Sequence, residues 1–278
     1  MINLVYSADK NYFKYVFMSI LSILKTTKEC LNINILSMNI KTTKREFKII
    51  SKEQIDFLNY FVKTYNINNK VTLFNLESIF NDYFKNSGAN INSVYSPYAL
   101  LRLFLDRLDN INCSKILYLD SDILALDDIN KLYSMDVSNY EFIGTQDRVG
   151  HFFFGKNYCN TGVLLLNLEK IRETKLFEKA LNYVFKIKSF MPDQDAINYN
   201  AKFRKVLYNP RFNEQGPKIK KDTIIKHFCK VLHFLPVPHT VNIKQDDFEN
   251  IHKKLKIFVF DNLFEEYKKI IDKYPNLF

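Results

Sequence analysis

The chain opens on a largely apolar run, residues 2–8, that stops at Asp9. A short apolar run closed by an acid predicts a buried strand. The period then changes. Over residues 12–25, Tyr15, Val16, Met18, Ile20, Ile23 and Leu24 recur at helical spacing and give a broad buried face. Residues 34–38 predict a second strand, 52–65 a helix and 71–76 a third strand. This alternation predicts a parallel sheet with helices on both faces.

Further along, residues 97–108 suit a helix, with Ser96 as N-cap and Pro97 at the first position. Residues 115–119 are an apolar strand that runs directly into Asp120-Ser121-Asp122. Strands are predicted at 141–145 and 161–167, one long helix at 169–188 and a shorter one at 193–201, where Asp193 after Pro192 makes a good N-cap. Past Asn209 the pattern weakens into expected loops and short helices. No repeat, low-complexity tract or linker divides the chain. A single domain over 1–278 is expected, with a core of about 1–235 and a C-terminal helical appendage at 236–278.

Composition adds little to this picture and charge somewhat more. Hydrophobic residues at 47% allow a sizeable core in 278 residues. A formal net charge of +10 favours acidic partners without choosing among nucleic acid, anionic lipid and phosphorylated ligands. No nucleic-acid-binding motif accompanies the charge, so a nucleic-acid partner is not expected. Cys30, Cys113, Cys159 and Cys229 form no C-x-x-C pair and read as reduced thiols of a cytosolic protein. Residues 1–9 reach an acid before a signal-peptide core is complete, and no run of about 18 apolar residues occurs. The aromatic and basic stretch 253–264 leaves peripheral membrane contact open beside the expected reading, a helix packed on the core.

The chemistry concentrates at Asp120 and Asp122. An apolar strand delivers two carboxylates, one residue apart, at its carboxyl end, where open α/β sheets bind ligands. Two such carboxylates repel each other unless a cation lies between them, and Mg²⁺ or Mn²⁺ takes oxygen ligands. Acidic turns after strands are common, and the motif alone does not decide.

The ordered set of segments around it is more specific. The D-x-D stretch resembles that of glycosyltransferase family 8, which includes glycogenin and bacterial lipooligosaccharide galactosyltransferases. So do Leu4-Val5-Tyr6-Ser7-Ala8-Asp9, Tyr98-Ala99-Leu100-Leu101-Arg102, Asn160-Thr161-Gly162-Val163, Asp193-Gln194-Asp195, Asn209-Pro210-Arg211-Phe212-Asn213 and Ile225-Lys226-His227-Phe228, in the family's order. The resemblance implies the nucleotide-diphospho-sugar transferase fold, a mixed α/β sheet with a Rossmann-like first half. It implies transfer from a UDP-sugar donor, dependent on Mn²⁺ or Mg²⁺, with retention of anomeric configuration, to a glycan or glycolipid acceptor. Asp120, Asp122 and His227 would hold the metal, with Ser121 in the same donor-facing turn. Ala8, Asp9 and Asn11 would line the nucleoside pocket, and Arg102 would reach the donor. Asp147, Asn160, Thr161 and Gly162 would shape the sugar site. Asp193 and Gln194 would face the reacting sugar.

One segment departs from the family. The stretch after the metal histidine usually carries G-x-x-K-P-W, whose lysine grips the leaving diphosphate. Here Lys230 stands at the glycine and His233 at the lysine, and the chain has no tryptophan. Lys230 or His233 is expected to make the phosphate contact. The alternative is a catalytically weak nucleotide-sugar-binding protein of the same fold.

Overall fold

The computed structural model describes residues 1–43, 45–84, 89, 90, 96–108, 111, 113–233, 237 and 239–278, with the side chains of 231–233 and 239 outside the description. In chain order the first half holds β1 (Ile2–Ser7), α1 (Phe13–Thr26), β2 (Leu31–Ser37), a two-stranded ribbon of β3 (Ile40–Lys41) and β4 (Glu46–Phe47), α2 (Lys52–Tyr65), β5 (Lys70–Asn75) and α3 (Glu77–Phe84). Next come a 3-10 helix (Pro97–Arg107), β6 (Lys115–Leu119), β7 (Ile123–Ala125) and α4 (Asn130–Tyr133). The second half adds β8 (Phe142–Gln146), α5 (Gly150–Phe154), β9 (Cys159–Asn167), α6 (Leu168–Thr174), α7 (Leu176–Lys186), α8 (Pro192–Asn200) and β10 (Arg204–Leu207). The chain ends in β11 (Ile225–His227), β12 (Val231–His233), β13 (His239–Val241), α9 (Phe248–Asn250), a π-helical turn (Ile251–Leu255) and α10 (Asp261–Lys273).

Seven strands form one sheet in the order β10-β8-β9-β6-β1-β2-β5. β1 pairs in parallel with β2 and β6, and β2 with β5. β9 alone runs against its neighbours β6 and β8. The order β5-β2-β1-β6 reverses direction of travel between β1 and β6, which opens a crevice at their carboxyl ends. The sheet is therefore the mixed, Rossmann-like sheet that the resemblance implies.

Alternation along each strand divides the core in two. Ile2, Leu4 and Tyr6 of β1, with Leu117 and Leu119 of β6, pack on the face shared with α1 and α10. Val5, Ile116 and Tyr118 pack on the other, against Leu100, Leu101 and Phe104 of the 3-10 helix and Phe177 and Leu181 of α7. Successive side chains in a strand point to opposite faces, so a continuous apolar run serves both layers.

Three expectations change in detail. Residues 97–107 wind as a 3-10 helix rather than an α-helix; Pro97, Tyr98 and 100–105 are buried nearly all round, so the apolar pattern does not distinguish a repeat of 3.0 from 3.6. The helix expected over 169–188 breaks at Lys175, whose φ of 57° is left-handed. The break re-aims α7 so that Leu176, Phe177, Ala180, Leu181 and Val184 are buried, and no Gly or Pro announces it. Asp193 is not an N-cap: α8 begins at Pro192 after Met191, and Asp193 lies in the first turn.

The C-terminal segment is tied to the core. Phe260, Phe264 and Tyr267 are buried, Phe278 packs on Phe13, Phe17 and Phe57, and Gln54 donates to the Leu277 carbonyl at 2.8 Å. Within 253–264, Ile257, Phe260, Leu263 and Phe264 face inward while Phe258 and Val259 are exposed. Among the described residues no helix is long and apolar enough to cross a membrane.

Candidate functional site

Asp9 and Asp120 follow β1 and β6 and so flank the crevice where the strand order reverses. Asp9 caps the short turn beyond it, accepting from the Tyr12 N–H at 2.8 Å. Burial raises its carboxyl above the usual range, and the Tyr12 and Asn11 amides pull it partly back. Ala8 is buried beside it, its carbonyl accepting from the Ser37 hydroxyl at 2.7 Å, while Asn11 is exposed on the turn.

Beyond β6 the chain turns through Asp120-Ser121-Asp122 into β7. β7 pairs antiparallel with β11, with His227 opposite Ile123. That register brings an imidazole from 105 residues downstream beside the acidic turn: His227 Nε2 lies 3.1 Å from Asp122 Oδ1 and 3.8 Å from Asp120 Oδ2. One ligand atom from each of Asp120, Asp122 and His227 lies within 4.8 Å of the others. Alternation explains Asp120. It continues the parity of Ile116 and Tyr118, and so faces the 3-10 helix, where Arg102 Nη2 binds its Oδ1 at 2.8 Å. The Arg102 guanidinium lies 4.0 Å over the Tyr118 ring, and its Nη1 donates to the Thr161 carbonyl. Tyr118 Oη also donates to Asp120 Oδ1, at 3.1 Å.

Asp193 reaches the same guanidinium at 3.4 Å. Burial raises its carboxyl, Arg102 opposes that, and Asp120 adds to it. Asp122 shifts the other way. Burial alone would raise it, but the charges and hydrogen bonds around it, Lys244 first, outweigh burial and hold it well below the usual carboxylate range. Three carboxylates thus meet two permanent cations, Arg102 and Lys244, in a largely buried cluster. An excess of negative oxygen with one imidazole nitrogen is the donor set that a divalent cation such as Mn²⁺ or Mg²⁺ accepts.

The other side of the cluster comes from the start of β9. A register irregularity opposite Gly144 and Thr145 frees Thr161–Val163 from β8, while the Gly162 carbonyl accepts from Asp120 N at 2.7 Å. Gly162 has no room for a side chain: a Cβ there would lie 2.3 Å from His227 Cε1 and 2.7 Å from Asp120 Oδ2. Gln194 bridges β9 and β8, accepting from Thr161 N at 3.1 Å and donating to Asp147 Oδ2 at 3.1 Å. Asn160 donates to the same Asp147 oxygen at 3.0 Å. Asn198 fastens α8 to β9 through two bonds of 2.8 Å to the Cys159 backbone.

The structure therefore gathers Arg102, Asp120, Asp122, Asp147, Asn160, Thr161, Gly162, Asp193, Gln194 and His227 into one connected cluster, with Ala8 and Asp9 across the crevice. Lys230 is exposed beyond β11; His233 lies on β12 with its side chain outside the description. Beside Arg102, a second cation meets the acidic turn: Lys244, on Asp122 Oδ2, a residue the sequence reading did not single out. Its neighbour Gln245 donates to the Ser121 carbonyl at 2.7 Å and the Tyr15 carbonyl at 3.2 Å. Asn213 was also missed as a site residue. It is fully buried, bonded to Asn160 and His227. The segment Asn209–Asn213 carried a resemblance but no signal of that role.

Two carboxylates and an imidazole thus meet at the switch point of a Rossmann-like half-sheet, where such sheets bind ligands. The chain belongs to glycosyltransferase family 8, whose model, "Glycosyl transferase family 8", matches residues 3–239. Among its relatives, a protein of Haemophilus influenzae described as a putative glycosyltransferase is 28% identical over 253 residues, 82% of this chain and 71% of that one. The lipopolysaccharide 1,2-glucosyltransferase of Escherichia coli is 27% identical over 224 residues, 76% of this chain and 61% of that one. The fold resembles that of the galactosyltransferase LgtC in complex with donor and acceptor sugar analogues, with a TM-score of 0.66 at 18% identity over 96% of both chains. An active-site mutant of LgtC gives 0.68 at 17% identity, over 97% of this chain and 96% of that one.

Proposed function

We propose that this chain is a metal-dependent retaining hexosyltransferase that moves a sugar from a UDP-sugar donor to a glycan or glycolipid acceptor. The observation that carries the proposal is the meeting of Asp120, Asp122 and His227 at the carboxyl end of β6, over a glycine with no space for a Cβ. Asp120, Asp122 and His227 would hold Mn²⁺ or Mg²⁺, which would stabilise the charge that builds on a departing diphosphate. The chain's own residues do the rest. Ala8, Asp9 and Asn11 line the nucleoside end, and Ser121 sits in the donor-facing turn. Arg102 fixes Asp120 and Asp193. Asp147 orients Asn160 and Gln194 toward the sugar.

Gln194 is an amide with both ends engaged, on Thr161 N and Asp147, and is a poor nucleophile. This supports front-face attack, in which the acceptor hydroxyl approaches on the side of the leaving phosphate and gives its proton to that phosphate. A double displacement through Asp193 is the secondary route; its ion pair with Arg102 counts against it. At the rim, α5 exposes Phe152, Phe153 and Phe154, and Gln215 accepts from the Arg148 N–H just before α5 at 2.9 Å; we assign acceptor contacts to residues 149–156 and 215–221. The four cysteines are unpaired, which supports a reducing, cytoplasmic setting.

The test is UDP release from a panel of UDP-sugars with and without Mn²⁺. Turnover is expected to require the cation and stop with chelator, and Asp122→Ala to lose about two or more decades in rate. An α-linked donor is expected to give an α-linked product by NMR. Near-normal turnover in chelator would remove the cation from the proposal, and a β-linked product would remove retention.

A further inference from the structure

We propose that Asn213 is a positioning residue that, with Asn160, relays the orientation of the Asp147 carboxylate to His227 and so holds that imidazole as its Nδ1–H tautomer, with Nε2 left free to ligate. A chain of four buried side chains joins the sugar side of the site to the cation side. Asp147 Oδ2 accepts from Asn160 Nδ2 at 3.0 Å. Asn160 Oδ1 accepts from Asn213 Nδ2 at 2.9 Å. Asn213 Oδ1 lies 2.9 Å from His227 Nδ1, and His227 Nε2 faces Asp122.

Which end of an amide is oxygen is ordinarily a choice made to suit its neighbours. Here the neighbours leave none. An ionised carboxylate only accepts and a backbone N–H only donates. Asp147 therefore requires the amino end of Asn160, and the Gly162 N–H, 3.0 Å from the other end, requires its oxygen. That oxygen in turn requires the amino end of Asn213. Asn213 is left with its oxygen toward His227, and an oxygen can only be met by an N–H. Asp147 is itself pinned, since its Oδ1 accepts from Val149 N at 3.0 Å and Gly150 N at 2.6 Å. Asn213 is 0% exposed, so no water competes for its carbonyl. The direction of every bond thus follows from two fixed groups, one carboxylate and one peptide N–H.

The consequence is chemical. A histidine ligates through the nitrogen that bears no proton, and the bond made by the other nitrogen selects it. With the proton on Nδ1, the Nε2 lone pair points at a carboxylate 3.1 Å away. Two electron-rich groups facing each other invite a cation between them. Because Asp147 also holds Gln194, one carboxylate sets both the amide at the sugar and the imidazole at the cation.

The inference rests on the proposed function only where it concerns cation affinity. Two measurements keep them apart. The first is the ¹⁵N NMR pattern of His227 in metal-free protein, read where the spectrum itself shows a neutral ring. The Nδ1–H tautomer is expected; an Nε2–H pattern overturns the relay and leaves the proposed transfer standing. The second is Mn²⁺ affinity, titrated directly in wild type and Asn213→Leu. Removing the acceptor is expected to shift His227 away from Nδ1–H and to weaken Mn²⁺ by about 10- to 100-fold, the usual cost of losing such a partner. A folded Asn213→Leu protein with unchanged tautomer and affinity also overturns the relay. If that variant does not fold, the wild-type spectrum decides alone. Wild type that shows Nδ1–H but takes up no Mn²⁺ keeps the relay and sinks the cation site.

Discussion

Gly162 shows how one missing methyl group makes room for a site. The two groups that a Cβ would strike are not free to move: His227 is held by Asn213, and Asp120 by Arg102 and Tyr118. Gly162→Ala is therefore expected to overpack the cluster, at a cost of about 1–3 kcal/mol in denaturant unfolding. It is also expected to weaken Mn²⁺ binding, because the displaced side chains are two of the three proposed to hold the cation. A variant with wild-type stability and affinity would contradict the rigidity inferred for both side chains. At this scale the sequence was partly legible. Asp120, Asp122 and His227 stood out through motif and resemblance. Asn213 did not, because a polar residue two positions after a loop arginine looks like any solvated turn, and only its burial and partners reveal its part.

Elements were legible where one pattern had one solution. β1, β2, β5 and α2, which the Ser51–Gln54 capping box opens, follow their hydrophobic period; the ribbon of β3 and β4 gave no such signal. The 3-10 winding of 97–107 and the break at Lys175 were not, since both leave the apolar pattern intact and are decided by what lies around them. The segment after β13 was hardest to read, and it carries a consequence. Gln245 bolts it to the Asp120–Asp122 turn and Lys244 meets Asp122, so this stretch brings a cation to the acidic turn. Lys244→Met is expected to weaken UDP, titrated by calorimetry with saturating Mn²⁺, on the order of tenfold, the worth of one charge-assisted hydrogen bond. Lys230→Ala is expected to leave the affinity near wild type. The reverse outcome would return the phosphate contact to Lys230 and confine Lys244 to Asp122.

For the whole molecule, alternation of strand and helix predicted the parallel half-sheet, and the resemblance predicted a mixed sheet. The antiparallel entry of β9 had no local sign, because its residues are as apolar as those of a parallel strand. That entry lets the amino end of one strand meet the carboxyl ends of β1, β6 and β8 at the same edge. The net charge of +10 suits a phosphorylated ligand, but the cluster itself is acidic; the charge that matters locally is opposite in sign to the charge of the chain.

The distance along the chain between partners has a consequence in time. His227 meets Asp122 across 105 residues, Gln245 meets Ser121 across 124, and Lys14 meets Asp246 across 232. Contacts this remote in sequence close slowly, because the intervening loop entropy is lost before the contact is made. The pairings of β1 with β2 and of β2 with β5 join strands close in sequence and need none of them. During refolding from denaturant, tyrosine fluorescence is therefore expected to recover before the chain takes up Mn²⁺, so that cation uptake marks the final closure of the polypeptide. Uptake that keeps pace with the earliest fluorescence change would mean that the trio forms without its distant parts.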